Sequence, residues 1–184
     1  MFINGFHNWP GVISIGYFSS EDGVTWEAQQ EEPVWISTNV SYARPGLDVS
    51  SVIVEDDGTW VMYFHTVNSS QSWEIGRATA PSPFGPWTAD PAPVLSTGPT
   101  GSFDSIHVKW PSVLKTSDSY VMYYGGQSQS GTVIGRATSD DGIEWVKDAL
   151  PVLTSANSGW DAGSIDRPEV QKTPDGYVMI YQGG

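Results

Sequence analysis

Five landmarks return three times along this chain in the same order, and that repetition constrains the fold more than any other feature. Ile15-Gly16-Tyr17 recurs as Ile75-Gly76-Arg77 and Ile134-Gly135-Arg136, each followed by a tryptophan: Trp26, Trp87 and Trp145. Pro33-Val34-Trp35, Pro93-Val94-Leu95 and Pro151-Val152-Leu153 come next. After a polar loop stand Ser51-Val52-Ile53, Ser112-Val113-Leu114 and Glu169-Val170-Gln171. The unit closes on Val61-Met62-Tyr63-Phe64, Val121-Met122-Tyr123-Tyr124 and Val178-Met179-Ile180-Tyr181.

Each unit reads as four short strands. The Ser-Val runs form an inner strand A and the Val-Met runs strand B. Strand C carries Ile-Gly-Arg, and strand D follows the tryptophan. Ser20-Glu21-Asp22-Gly23 and Ser139-Asp140-Asp141-Gly142 place Asp-Gly at the C–D hairpin tip, where a positive φ is needed. Strands A and B are almost continuously apolar, as strands buried on both faces are. The 20 Gly and 13 Pro suit short strands and tight turns, and no segment has a helical period. Radial repetition of such units predicts an all-β chain, a β-propeller of four-stranded antiparallel blades. Stacked β-sandwiches are the alternative, but each unit is small for an independent sandwich.

Met1-Phe2-Ile3 occupies a strand-B position with no strand A before it, and Val178–Tyr181 a strand B with no C or D after it. The expected division is therefore 1–45 as the rest of a cut blade with its connection, 46–104 and 105–162 as blades, and 163–184 as the start of another. Half-blades at both ends predict a fragment of a ring. Missing blades or self-association are then needed to cover apolar blade faces larger than the ~300–600 Å² of an ordinary surface patch.

The net charge of −13 repels phosphate backbones, and no basic cluster offsets it, which excludes nucleic acid as a partner. No apolar run approaches the ~20 residues of a membrane-spanning helix. With no cysteine there are no disulfides or thiolate metal sites. The first residues lack a signal-peptide pattern, and cytoplasmic, periplasmic and secreted locations all stay open. Nine Trp and eight Tyr among many carboxylates suit a carbohydrate partner, whose C–H faces stack on rings, although composition alone fits other acidic proteins equally well.

Ala80-Pro81-Ser82-Pro83-Phe84-Gly85-Pro86-Trp87 resembles the C–D turn of glycoside hydrolase family 43, an arabinanase- and xylosidase-like family. The segment from Ile134 to Trp145 resembles the same turn there and in the mannoside phosphorylases. Trp160-Asp161-Ala162-Gly163-Ser164-Ile165-Asp166-Arg167-Pro168-Glu169-Val170 resembles their entry into an inner strand. The resemblance implies a five-bladed ring, of which about three blades are here, and hydrolysis of a glycosidic bond in a plant-type or other oligo- or polysaccharide. It requires no cofactor and is compatible with an axial ion such as calcium. The sialidase Asp-box has one more residue between Asp and Gly than Ser139–Trp145, so the Asp-Gly tips read as turn chemistry.

In a four-stranded blade the segments before strand A and the B–C loops share one rim, and the C–D hairpins lie at the other. With Ser50, Pro111 and Pro168 aligned, Asp48, Lys109 and Asp166 stand two positions earlier, and Val49, Trp110 and Arg167 one earlier. The family pattern, a base Asp with a modulating Asp two blades on, implies Asp48 and Asp166, with the acid Glu beyond Gly184. The family's Asp sits directly before the proline, one residue later than here. The plain alternative is strand-entry residues bonding local backbone.

Glu169 replaces Ser51 and Ser112 and is a second candidate acid, since burial would raise its pKa. An ion pair with Arg167 is the alternative. His65, His107, Lys109, Trp110 and Arg167 are candidate substrate-binding residues, and His7 and Trp9 occupy the matching loop of the first unit. Trp110 suits a sugar platform or a contact between blades. Trp26, Trp87 and Trp145 share one repeat position and are expected in the core. The three histidines lack metal-ligand spacing. A glycoside phosphorylase, with Arg44, Lys109 and Arg167 on the phosphate, and a non-catalytic glycan-binding propeller are the rival functions. The chain alone is expected to be an incomplete glycosidase.

Overall fold

The computed structural model describes residues 1–6, 11–43, 46–156 and 158–184. The strands are β1 (Phe2–Phe6), β2 (Ile13–Ser19), β3 (Glu27–Ala28), β4 (Trp35–Ile36), β5 (Leu47–Val54), β6 (Trp60–Val67), β7 (Trp73–Ala80), β8 (Thr88–Ala89), β9 (His107–Lys115), β10 (Tyr120–Ser128), β11 (Gly131–Ser139), β12 (Val146–Lys147), β13 (Ile165–Thr173) and β14 (Gly176–Gly183). A single 3-10 turn, Ser37–Asn39, is the helical element among the described residues.

Strands β5-β6-β7-β8 and β9-β10-β11-β12 form two antiparallel sheets of four, and β13 pairs with β14. In the first sheet β1 takes one edge of β2 while β3 and β4 share the other. The inner strands neighbour one another, β9 touching both β5 and β13. Their joint is a repeated hydrogen bond: the Val113 N–H donates to Ser51 Oγ at 3.1 Å and the Val170 N–H to Ser112 Oγ at 3.0 Å. These are blades of a partial β-propeller.

Strand D is shorter than the repeat suggests. Beyond β8 and β12 it continues only as single bridges, Ile75 to Leu95 and Ile134 to Leu153. Pro91 and Pro93, like Pro151, have no N–H to give a ladder and are tolerated only on such an outer edge.

The glycine of each Ile-Gly-Arg landmark is a slot for aromatic rings. Phe103 stacks on Tyr124 at 6.3 Å and Tyr42 on Phe64 at 6.4 Å. A Cβ on Gly135 would stand 2.6 Å from the Tyr124 ring and 2.8 Å from Phe103, and one on Gly76 would collide with Phe64 and Tyr42. Gly135→Ala therefore overpacks the blade and should cost about 1–3 kcal/mol, read as a lower urea midpoint at unchanged slope.

Two expectations about burial are corrected. Trp87 is buried, meeting the Phe2 ring edge-on at 5.7 Å, and Trp145 meets Tyr63 at 6.0 Å, but Trp26 is 44% exposed. The first two rest on a strand-B ring of the preceding sheet, and no such strand faces Trp26 among the described residues. Strand β6 is buried almost throughout, whereas Tyr177, Val178 and Ile180 of β14 are exposed. No further sheet covers them among the described residues.

Candidate active site at the mouths of the inner strands

Each inner strand carries one extra residue at the same place. The ladder slips between Val49 and Ser51 opposite β6, between Lys109 and Ser112 opposite β10, and between Asp166 and Glu169 opposite β14. In β9 and β13 the slip falls on Trp110-Pro111 and Arg167-Pro168, where proline has no N–H for the ladder. Trp110 (φ 53°) and Arg167 (φ 50°) take the left-handed conformation, which costs a bulky residue about 1–3 kcal/mol. Such bulges re-aim side chains, and here they turn Trp110 and Arg167 toward shared space.

That space is a cavity of about 450 Å³ lined by Asn4, Phe6, Asp48, Val49, Ser50, His65, Trp110 and Arg167. A smaller hollow of about 200 Å³ adjoins it, sharing Val49, Ser50, Trp110 and Arg167 and adding Pro111, Pro168 and Glu169. Asp48, His65, Trp110, Arg167 and Glu169 thus meet from three different sheets. His107, Lys109 and Asp166 line neither, and the His107 Nδ1 accepts the Trp73 N–H at 3.1 Å and ties two blades together.

His65 organises the Asp48 side. Its ring is 2% exposed, with Nε2 3.4 Å from Asp48 Oδ2 and Nδ1 3.2 Å from Ser50 Oγ. Burial pushes its pKa down, outweighing the Asp48 carboxylate, and the Lys109 and Arg167 charges push the same way. The imidazole is neutral at pH 7, so its Nε2–H donates to Asp48 and its Nδ1 accepts the Ser50 hydroxyl proton.

On the other side, Lys109 Nζ lies 4.2 Å and the Arg167 guanidinium carbon 4.7 Å from the Trp110 ring centre. Burial pushes Asp166 upward against the pull of Arg167 and Lys109, and its buried Oδ1 has no hydrogen-bond partner. Burial likewise lowers Lys109, with Asp166 opposing and Arg167 reinforcing the shift. Glu169 is exposed, yet the surrounding chain still pushes its carboxyl upward. Arg167 stacks on Trp110 and makes no ion pair with Glu169.

The Asp-Gly hairpins lie at the far end. Ser139 pairs with Tyr120, and Tyr120 with Lys115, the last residue of β9, whereas His107 is its first. Asp141 Oδ1 accepts the N–H groups of Ile143 and Glu144 at 2.8 and 2.9 Å. The same bonds from Thr25 and Val24 hold Asp22 down at about 2. His7, Trp9 and Arg44 lie outside the described residues. No group of three His, Cys, Asp or Glu stands close enough for a metal among the described residues.

Three structural partners were not singled out in the sequence. Asn4 clamps Val49 from the first sheet, its amide accepting the Val49 N–H at 2.9 Å and donating to the Val49 carbonyl at 3.2 Å. Buried Asp104 accepts bonds from Lys147 (2.6 Å), Ser102 (2.7 Å) and Tyr124 (3.1 Å). Asp161 accepts from Tyr181 at 3.1 Å in the next unit. The recurrence of Phe103-Asp104 as Trp160-Asp161, in step with Met122 and Met179, was the available signal.

Inner strands that converge on a cavity walled by carboxylate, imidazole, indole and guanidinium make this a propeller of the glycosidase type. Residues 3–181 match the glycosyl hydrolases family 32 N-terminal domain, and the chain belongs to that family. No curated protein matches. Among solved structures, a glycosyl hydrolase from Bacteroides ovatus is 21% identical with a TM-score of 0.68, over 99% of this chain and 59% of that one. The β-1,2-mannobiose phosphorylase from Listeria innocua is 17% identical with a TM-score of 0.70, over 93% and 48%. Zg3597, a family 117 glycoside hydrolase from Zobellia galactanivorans, is 22% identical with a TM-score of 0.68, over 92% and 52%. These likenesses show the shared fold. The chain spans about half the length of the structures it matches. The broader expectation of a propeller glycosidase domain holds, while membership of family 43 does not follow from these matches.

Proposed function

We propose that the cavity binds an oligo- or polysaccharide and that the whole protein hydrolyses its glycosidic bond. The observation that carries this is Asp48 on the cavity wall, oriented by a buried neutral His65; Asp166, outside the lining but on the strand that supplies Arg167, is a second carboxyl, pushed upward by burial. Glycoside hydrolysis needs such a division, one carboxylate ionised and another group able to hold a proton. In this reading Asp48 is the base that activates water and Asp166 its protonatable partner. Glu169, at the mouth of the adjoining hollow, is the second candidate acid. We read 46–104 and 105–162 as blades of a ring that 1–45 and 163–184 continue.

The test is to incubate the protein with aryl glycosides and oligosaccharides, with and without inorganic phosphate, and to separate the products. Free reducing sugar independent of phosphate is the expected result. Sugar 1-phosphate formed only with phosphate would replace hydrolysis by phosphorolysis. Retention of glycans without cleavage would leave a binding propeller.

A further inference from the structure

We propose that Lys109 and Arg167 form an anion subsite, and that the sugar bound in this cavity carries a carboxylate, as a uronic acid does. The proposal rests on the carbohydrate reading above and adds the charge of the substrate. It begins with charge pairing. The chain has 21 acidic residues against 8 basic ones, so a cation has an abundance of carboxylates to pair with. Arg77 pairs with Asp90, Lys115 with Glu55 and Asp56, Arg136 with Asp148, and Lys147 with Asp104. Among the described residues Lys109, Arg167 and Lys172 have no such partner. Lys172 is exposed toward the far end of β13. Arg167 lines the cavity, and Lys109 stands beside it on the same Trp110 ring.

Placing two cations on one indole is unfavourable by itself: Arg167 depresses the Lys109 pKa, and the Asp166 carboxylate opposes that from beyond ion-pair distance. A bound anion relieves that repulsion. The backbone is also committed to the arrangement, because Trp110 and Arg167 hold positive φ in bulges. Strain of this kind persists where side chains must be aimed at a ligand.

Size selects the anion's carrier. About 450 Å³ suits a sugar ring and is far more than a phosphate fills. Phe6 and Trp110 add apolar wall, which a pyranose C–H face uses and an inorganic ion does not. A carboxylate also matches the planar guanidinium fork of Arg167.

Isothermal titration of the 184-residue chain tests this, using D-galacturonate and D-glucuronate, their methyl esters, galactose, glucose and inorganic phosphate. The free acids should bind about tenfold tighter than the esters, the difference shrinking as salt rises. Lys109→Gln and Arg167→Gln should each remove part of that preference, the free acids losing more affinity than the esters. Lys172→Gln should change nothing, and Arg167→Lys should keep part of the effect. Near-ultraviolet circular dichroism checks that each variant is folded. Equal binding of acid and ester overturns the anion subsite while the carbohydrate reading stands. Binding of phosphate in preference to the uronates overturns it in favour of a free anion. Failure of every sugar to bind overturns both readings.

Discussion

Asp48→Asn should lower glycosidic-bond cleavage by about 10²–10⁴-fold while sugar binding stays within about threefold. The substitution removes the basic oxygen and little else. The new amide's carbonyl still accepts the His65 Nε2–H, and its side chain keeps the length and rotamers that fit the opening of β5. Loss confined to kcat assigns Asp48 to the chemical step, because an interaction made only in the transition state leaves ground-state binding untouched. A variant that retains more than half the activity would remove Asp48 from the mechanism. One that instead loses binding alone would make it a substrate anchor.

Asp104→Ala should destabilise the protein by about 1–3 kcal/mol, the range for leaving a buried hydrogen-bonding group without its partner. Its side chain is 3% exposed, and it holds Lys147, Ser102 and Tyr124 at once. Removing it leaves the buried Tyr124 hydroxyl without its acceptor, while the partly exposed Lys147 ammonium keeps the Ser96 carbonyl. Burial alone would raise the Asp104 pKa, but its bonds from Lys147, Ser102 and Tyr124 win and hold it below the usual carboxylate value. A carboxyl with a depressed folded pKa contributes stability above its unfolded pKa and loses it as pH falls through the folded one. The wild type should therefore lose urea resistance below about pH 4, and the Asp104→Ala chain should lose less over that interval. Equal acid slopes would show that Asp104 is not the group being protonated.

The repeat exposed the strand plan because apolar runs and turn residues encode local structure directly. Val61–Phe64 reads as a buried strand from side chains alone, and Asp22-Gly23 as a turn. The same local logic failed for Trp26, whose burial depends on a ring from another sheet that repeat position cannot supply. It also passed over the reason for Gly76 and Gly135, since the rings that require them come from strand B and from the segment before strand A. In the site, aligning the inner strands put Asp48, Trp110 and Arg167 at neighbouring positions, and the structure lines one cavity with these three, Lys109 and Asp166 lying outside that lining. Pairing was harder to read. The bond from His65 to Asp48 crosses two strands, the tie from His107 to Trp73 crosses two sheets, and neither leaves a mark in residue spacing.

The inner-strand bulges separate two duties that a regular ladder would impose on the same residues. Ser51 and Ser112, just past the slip, join one blade to the next through backbone N–H groups. Trp110 and Arg167, within the slip, stand outside the register that carries those joints. The residue before each proline can thus change without touching those serine joints. Exchanging the occupants of positions 110 and 167 would redraw what the cavity recognises and leave the serine joints between blades in place. A scaffold divided in this way accommodates new substrates by changing single residues at its mouth, one blade at a time.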